Sequence, residues 1–258
     1  MKLFCIFLSG LIFLLVGCSK NYLDSEIAPL GNKKTKLKIF LTDASCNYDS
    51  VLIDIQSLRI ITSTFDTTLP VQNPGIYNLL DLNNGIDSLL VIHTMGSDTL
   101  KEIRLILGNQ NSVVIDSIEY YLKTPSAQSS GLKVKINSFI QAGITYKLWL
   151  DFDACRSIVS KGNGGYNLKP VIRSYTSATS GSIHGVIKPD SAVTYLFAFN
   201  STDTFGTVPG SGGSFQILGM DSGLYDIYFQ ADSFYNDSLI QAIPVNLGLV
   251  TDIDTIRF

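Results

Sequence analysis

Short runs in which apolar and polar residues alternate recur along this chain, and they constrain its fold more than any other feature of the sequence. In residues 51–60, for example, the alternation places Val51, Ile53 and Ile55 on one face of an extended strand. Turn-forming residues separate such runs, which occupy residues 37–41, 102–107, 113–116, 118–122, 132–136, 146–152 and 171–175. Alternation with period two over short segments is typical of half-buried β-strands, so these residues predict an all-β structure.

A second and shorter series of strand-like runs follows the small polar residues 176–182, which predict a linker between domains. These runs occupy residues 182–187, 194–199, 213–217, 223–229, 240–245 and 251–256. Helical patterns are weak and are limited to a short helix within residues 84–91 and one turn within residues 153–159. Because short strands joined by tight turns favour sandwiches or barrels, we predict two antiparallel β-sandwich domains in tandem, at residues 36–175 and 183–258.

The N-terminus has the layout of a secretory signal peptide. Lys2 precedes an apolar stretch, residues 3–16, that is short for a membrane span. The stretch ends in Leu-Val-Gly-Cys, which resembles the lipobox of bacterial lipoproteins. This resemblance implies that residues 1–17 are removed and that Cys18 is acylated, for example with palmitate. The alternative is an ordinary secretory signal in which the position of Cys18 is a coincidence.

The residues that follow Cys18 predict where the lipid anchor lies. Residues 19 and 20 are Ser and Lys, so the Asp that usually retains a lipoprotein in the inner membrane is absent. We therefore expect the outer membrane of a Gram-negative bacterium, with the protein on its periplasmic or its outer face. Residues 18–35 are polar and contain Pro and Gly, so they predict a flexible tether between the lipid and the fold.

Composition limits the class of partner. Only 16% of the residues are charged and 45% are hydrophobic, which argues against a disordered chain. The formal net charge is −3 and there is no basic block, so a nucleic-acid partner is not expected. The expected partners are the membrane, through the lipid, and a glycan or a surface protein.

Cys46 and Cys155 are the cysteines that remain in the predicted mature chain besides Cys18. An exported protein folds in an oxidising compartment, so we predict a Cys46–Cys155 disulfide. Two unrelated buried thiols are the alternative. Neither cysteine belongs to a Cys-x-x-Cys motif, which argues against a thiol catalyst.

Four aspartates near the ends of predicted strands form the candidate site: Asp43, Asp49, Asp151 and Asp153. Asp151 and Asp153 are two residues apart, so an extended strand places both carboxylates on one face. The four could chelate Ca²⁺, which prefers oxygen ligands, or Asp43, Asp151 and Asp153 could supply the acid and base of a hydrolase. The third interpretation is structural, with carboxylates that cap turns and pair with arginines. Arginines available for such pairs are Arg104, Arg156 and Arg173.

Common catalytic motifs are missing from the sequence. His93 and His184 are too few for a three-ligand zinc site, and neither HExxH nor GxSxG occurs. Residues 162–165 lack the Lys-Ser/Thr of a P-loop and instead predict a hairpin turn. Aromatic residues of the second predicted domain could form either its core or a sugar-binding platform. They are Tyr195, Phe197, Phe199, Tyr225, Tyr228 and Phe229.

Five segments of the first predicted domain carry a family resemblance. They are LTDASCNYDSVLIDIQSLRI (41–60), GIYNLLDLNNGIDSLL (75–90), IRLILGNQNSVVID (103–116), LKTPSAQSSGLKV (122–134) and the region from AGITYKLWLDFDACRSIV to GGYNLKPVIR (142–173). Together they resemble the domain-of-unknown-function 4382 family of bacterial secreted proteins and lipoproteins. That family usually has Pro where Ser45 stands and another residue where Cys155 stands. The resemblance implies a β domain in an exported protein and no assigned activity.

The C-terminal segments GSIHGVI (181–187) and GGSFQILGMDSGLYDIYFQ (212–230) resemble the carboxypeptidase-regulatory-like, transthyretin-type β-sandwich. This resemblance implies a non-catalytic spacer or a carbohydrate-binding-like fold. The sequence therefore predicts a lipoprotein that is not an enzyme, that requires no cofactor, and that has a binding or structural role. A calcium-dependent binding domain and a carboxylate-based hydrolase are the alternatives.

Overall fold

The computed structural model describes residues 34–43, 46–124, 130–162 and 164–258. The predicted signal peptide, the lipidation site Cys18 and nearly all of the tether therefore lie outside the described residues. Within the described residues, no helix is long and apolar enough to cross a lipid bilayer.

Twelve strands form the first sandwich within the described part of residues 34–175. They are β1 (Thr35–Thr42), β2 (Ser50–Thr62), β3 (Asp66–Asn78), β4 (Ser88–Met95), β5 (Asp98–Leu107), β6 (Ser112–Ile115), β7 (Ile118–Lys123), β8 (Leu132–Ile140), β9 (Thr145–Phe152), β10 (Ile158–Ser160), β11 (Tyr166–Leu168) and β12 (Ile172–Tyr175). One sheet has the order β12-β9-β1-β4, and the other has the order β10-β11-β7-β6-β2-β5-β8 with β3 paired to β2. A 3-10 turn (Leu79–Asp81) and a one-turn helix α1 (Ala154–Ser157) complete this region.

The alternating apolar residues of the two sheets meet in one core. Leu37, Ile39 and Leu41 of β1 are fully buried, and they pack in the same cluster as Val51 and Ile53 of β2. Because side chains of a strand alternate between faces, the intervening residues of β1 point to the outer face of the four-stranded sheet. The period-two pattern of the sequence is therefore the pattern of core and surface.

Seven further strands form the second sandwich, in residues 181–258. They are β13 (Gly181–Lys188), β14 (Val193–Phe199), β15 (Thr204–Thr207), β16 (Ser214–Met220), β17 (Gly223–Ala231), β18 (Ser238–Val245) and β19 (Val250–Arg257). Their sheets have the orders β16-β13-β19 and β15-β14-β17-β18. A 3-10 turn (Ser211–Gly213) precedes β16. A separate core, centred on Phe215, Tyr225 and Phe229, lies between the two sheets.

The predicted all-β sandwich architecture is confirmed, and the described residues include three parallel strand pairs that the sequence pattern does not reveal. These pairs are β1 with β9, β7 with β11, and β13 with β19. The described residues all belong to one compact unit, although they contain two hydrophobic cores. The domain boundaries proposed from the sequence stay a prediction.

Two local predictions are confirmed and one is wrong. The β6–β7 hairpin turns at Asp116 and Ser117, both with positive φ, and α1 supplies the predicted helical turn after Asp153. The predicted helix within residues 84–91 is instead a turn followed by β4. Asn84 and Gly85 have φ of 54° and 82°, and this left-handed backbone cannot continue a right-handed helix.

Candidate functional site at the junction of the two sandwiches

Cys46 and Cys155 form the predicted disulfide, with their Cα atoms 5.1 Å apart. The bond joins the loop after β1 to helix α1 and closes a segment of 109 residues. Cys46 is 8% exposed and packs with the core of the first sandwich, while Cys155 is exposed. The disulfide therefore fixes the end of the first sandwich at which three of the four candidate aspartates lie.

Asp43 and Asp153 hold the backbone around α1. An oxygen of Asp43, Oδ1, accepts a hydrogen bond from the backbone N–H of Ala154 at 2.9 Å. Asp153 is the N-cap of α1, and its Oδ1 accepts from the N–H of Arg156 at 3.0 Å. Because the first N–H groups of a helix have no partner within the helix, these contacts explain why two carboxylates are buried here.

Asp151 is buried and pairs with Arg173 across neighbouring strands β9 and β12. Burial raises the pKa of Asp151, whereas the positive charge of Arg173 opposes that rise. The guanidinium of Arg173 also lies over the ring of Phe205 in the second sandwich, with Cζ 4.1 Å from the ring centroid. Arg173 thus neutralises a carboxylate of the first sandwich and contacts the second.

Asp49 lies elsewhere, beside the β6–β7 hairpin, where its Oδ2 accepts from the N–H of Ser117 at 2.7 Å. Each of the four aspartates therefore has a partner within the protein. Among the residues that the structure describes, no group of three His, Cys, Asp or Glu side chains could hold a metal ion. The calcium site and the carboxylate-based hydrolase stay predictions that these contacts do not favour.

The side chain of Asn84 joins the two sandwiches. Its Oδ1 accepts from the backbone N–H of Gln216 at 2.6 Å, and its Nδ2 donates to the backbone carbonyl of Ser214 at 3.1 Å. The amide thereby pairs with strand β16 in the manner of a neighbouring strand, because it presents one donor and one acceptor. The left-handed turn at Asn84 and Gly85, which stands where the sequence predicts a helix, places Asn84 beside strand β16.

Three stacked aromatic rings stand on the outer face of the four-stranded sheet. Phe40 and Trp149 are 5.3 Å apart between ring centroids and Trp149 and Tyr175 are 5.6 Å apart, with interplanar angles of 18° and 7°. Gly219 of the second sandwich follows in this row, with φ of 71°, and a Cβ there would lie 2.6 Å from Cδ1 of Tyr175. Glycine is required at that position by both its backbone and the ring beside it.

An open cleft of about 310 Å³ lies beside this row, and we name it the junction cleft. Both sandwiches line it, through Trp149, Tyr175 and Asp87 on one side and Gln216 and Leu249 on the other. The indole Nε1 of Trp149 donates to Oδ2 of Asp87 at 2.7 Å, which fixes the orientation of both side chains. Further residues that line the cleft are Gly85, Ser177, Ser180, Gly181, Ser182, Leu218, Gly219, Gly248 and Val250.

A much smaller cavity, of about 20 Å³, is also lined by residues of both sandwiches. Arg173 Nε, Tyr175 Oη and Thr207 Oγ1 are buried polar atoms of its lining residues, and they have no hydrogen-bond partner within the described part of the chain. The volume suits one water molecule, which needs two to four polar neighbours. Burial also raises the pKa of Tyr175, so its hydroxyl stays protonated.

The predicted aromatic cluster of the second sandwich divides between core and surface. Tyr225 and Phe229 are fully buried in the core. The other members, on the outer face of the sheet, are half-buried: Tyr195, Phe197, Phe199 and Tyr228. Phe197 contacts each of the other three outer rings. The burial of Tyr195 raises its pKa to about 12.

A Ser–His–Asp contact, which sequence reasoning missed, crosses the three strands of the smaller sheet. His184 Nδ1 lies 3.2 Å from Asp252 Oδ2, and His184 Nε2 lies 3.4 Å from Ser214 Oγ. The Asp252 side chain is 61% exposed and also accepts from the N–H of Asp254. Nucleophilic serines are activated in sites that exclude water, so this row, whose aspartate is exposed, fits a set of cross-strand polar contacts better than a catalytic triad.

The other histidine, His93, contacts the ring of Phe65, with ring centroids 5.4 Å apart. Its partial burial lowers its pKa, so the imidazole is neutral at physiological pH. The two histidines therefore have separate local contacts.

A family model described as "Domain of unknown function (DUF4382)" matches residues 34–170, which is more than half of the 258 residues. The chain belongs to the DUF4382 family. The match covers nearly all of the first sandwich, including Asp43, Asp151 and the disulfide. No curated protein matches the chain. The resemblance of the second sandwich to carboxypeptidase-regulatory-like domains stays a prediction.

Several solved structures are similar to this DUF4382 chain at a low level. The Bacillus anthracis TIE protein is 11% identical with a TM-score of 0.22, and the match covers 87% of this chain and 34% of that one. The minor pilin GBS52 of Streptococcus agalactiae is 9% identical with a TM-score of 0.23, covering 85% and 94%. A fimbrial protein of Bacteroides ovatus is 7% identical with a TM-score of 0.26, covering 88% and 50%.

The chain thus spans about a third of the length of the TIE protein and half of the fimbrial protein.

Proposed function

We propose that this DUF4382 protein is an exported, lipid-anchored protein with a non-catalytic binding or structural role at the outer membrane of a Gram-negative bacterium. The observation that carries the proposal is the Cys46–Cys155 disulfide. Disulfides persist in oxidising compartments outside the cytoplasm, so the bond agrees with the signal peptide and the lipobox at Cys18. Acylation of Cys18 would then hold the protein at the membrane.

The length of strand β1 separates the junction of the two sandwiches from the point where the tether begins. In the four-stranded sheet, Thr42 pairs with Asp151 at the ends of β1 and β9, while Leu41 pairs with Ser88 at the start of β4. The junction therefore lies at the end where β1 finishes. The tether joins β1 at the opposite end, before Thr35, so one strand length of about 26 Å separates the two positions.

The distribution of charge supports a second sandwich that is presented away from the membrane. Residues 34–175 contain 14 Lys and Arg against 12 Asp and Glu, a net charge of +2. Residues 181–258 contain 2 Lys and Arg against 8 Asp, a net charge of −6. A membrane surface rich in anionic lipid repels the acidic sandwich and weakly attracts the basic one.

The contacts of the four candidate aspartates support a role without catalysis. Asp43 and Asp153 hold α1, Asp151 is neutralised by Arg173, and Asp49 binds a hairpin turn. General acid–base catalysis requires a carboxyl group that can reach a substrate and change its protonation state. These groups instead act as capping and pairing residues within the fold.

Metabolic labelling with palmitate tests the anchor. We expect label on the wild-type protein in the outer-membrane fraction and none on Cys18→Ala. The matched control is Cys5→Ala, which removes the other cysteine of residues 1–18 and should leave the label unchanged. An unlabelled wild-type protein, or a mature N-terminus beyond residue 18, would overturn the proposal.

A further inference from the structure

We propose that the junction cleft binds an uncharged sugar unit of a glycan. This inference rests on the proposed binding role and names the ligand class for one site. The cleft has a volume of about 310 Å³ and residues of both sandwiches line it. Small-molecule sites in proteins are concave, have volumes of about 300–1,000 Å³, and combine apolar walls with a few placed polar groups.

The apolar part of the cleft suits the C–H groups of a pyranose ring. The exposed apolar surface comes from Leu249 and Val250, which are 60% and 59% exposed. Trp149 and Tyr175 add the edges of half-buried rings, because the faces of Trp149 are covered by Phe40 and Tyr175. These side chains give the cleft an apolar wall. A bound apolar surface would remove this wall from water.

The polar part of the cleft suits hydroxyl groups. Asp87 offers carboxylate oxygens that accept hydrogen bonds, and Gln216 offers an amide that both donates and accepts. A purely apolar ligand, such as an acyl chain or an apolar peptide, would bury these groups without partners, which is costly. A sugar satisfies both walls because its hydroxyl groups surround a ring with C–H faces.

The charge of the residues around the junction cleft argues against an acidic ligand. Among the described residues that line the cleft, Asp87 is the one with a charged side chain, and no Lys or Arg takes part. The second sandwich as a whole carries a net charge of −6. A phosphate, a sulfate or a uronic acid would therefore meet repulsion at close range without a compensating cation. A neutral sugar meets no such repulsion.

The side chains of the cleft are held in place before a ligand binds. Trp149 is stacked between Phe40 and Tyr175, and its Nε1 donates to Asp87. Tyr175 is packed against Gly219 on its other side. Groups that are already ordered lose little conformational entropy on binding, so a small ligand can bind measurably.

The single tryptophan of the chain makes a direct test possible. Trp149 lines the cleft, so its fluorescence reports on the cleft without a label. Full-length lipoprotein in a detergent without a sugar headgroup is titrated with cellobiose, maltose, xylobiose and N,N′-diacetylchitobiose. We expect a saturable change in emission with at least one of them, and none with digalacturonic acid or a Leu-Val-Leu peptide.

Variants then assign the binding to the cleft. Asp87→Asn keeps an acceptor for Trp149 but removes the charge, and we expect about 10-fold weaker binding. Val250→Ala shortens the apolar wall and should weaken binding by a few fold. The matched control is Phe234→Ala, an apolar side chain that is 90% exposed outside the cleft, and this variant should bind like the wild type.

Three results would overturn the inference: no emission change with any neutral disaccharide up to about 100 mM, wild-type affinity in Asp87→Asn, or binding of the acidic sugar or the peptide instead. Palmitate labelling of the same preparation separates this failure from failure of the proposed function. A labelled protein that binds no sugar rejects the sugar site alone.

Discussion

Removal of the Cys46–Cys155 disulfide should lower the free energy of unfolding by about 4–5 kcal/mol. The bond closes a segment of 109 residues. On the chain-entropy model, a crosslink over a loop of that length restricts the unfolded chain by about 16 cal/mol/K, or about 4.8 kcal/mol at 25 °C. The perturbation is the double variant Cys46→Ala/Cys155→Ala, in which no free thiol is left to react.

The assay is urea unfolding of the mature chain from residue 19, secreted through an ordinary signal peptide and followed by the emission of Trp149. Trp149 belongs to β9, which lies in the same sheet as β1 and ends just before α1. We expect a lower midpoint and a larger m-value, because the unfolded chain without the crosslink exposes more surface. Reductant should shift the wild type toward the variant and leave the variant unchanged.

If the double variant loses less than about 1 kcal/mol of unfolding free energy and keeps the wild-type m-value, the chain-entropy explanation is refuted. That result would mean that the unfolded chain remains compact between positions 46 and 155 without the bond. A wild-type protein whose cysteines react with a thiol reagent before reduction would contradict the disulfide itself.

Three further predictions concern charge and chemistry. Arg173→Met should cost about 3–5 kcal/mol in urea unfolding because it leaves Asp151 buried without its partner, and adding Asp151→Asn should restore most of the loss; no restoration would contradict the pairing. Burial alone raises the pKa of Asp98, yet hydrogen bonds from threonine side chains and backbone N–H groups lower it to about 2. This stabilisation is present above the unfolded pKa near 3.9 and is lost as the pH falls through about 2, so thermal unfolding of wild type and Asp98→Asn should differ at pH 6 and converge near pH 2. A serine-reactive fluorophosphonate should leave the chain unlabelled; label on Ser214 that disappears in His184→Ala would show catalysis instead.

Most strands could be predicted because their residues alternate between core and surface, as β2 and β5 do. Strand β3 was not predicted, and the reason is physical. Among the strands that the structure describes, it pairs with β2 alone and is therefore an edge strand, and it contains Pro70, Pro74 and many exposed residues. Proline is tolerated on an edge strand, where its missing N–H removes no hydrogen bond between strands. In the sequence, however, a proline argues against a strand.

The candidate site was predictable only in part. Asp43, Asp151 and Asp153 lie together at the end of the first sandwich, but their partners are Ala154, Arg173 and the backbone of α1. Sequence spacing identifies carboxylates without identifying what neutralises them. The disulfide was predictable because the predicted export to an oxidising compartment, together with two cysteines besides Cys18, leaves one pairing.

The sequence by itself determined most of the strands, the turn at Asp116 and Ser117 and the disulfide, because each depends on local pattern or on composition. Only the tertiary structure decided the parallel pairs and the junction cleft. Asp87, Trp149, Tyr175 and Gly219 meet there from four separate segments of the chain. Contacts of that range depend on how whole sheets pack, and no local alternation of residues encodes them.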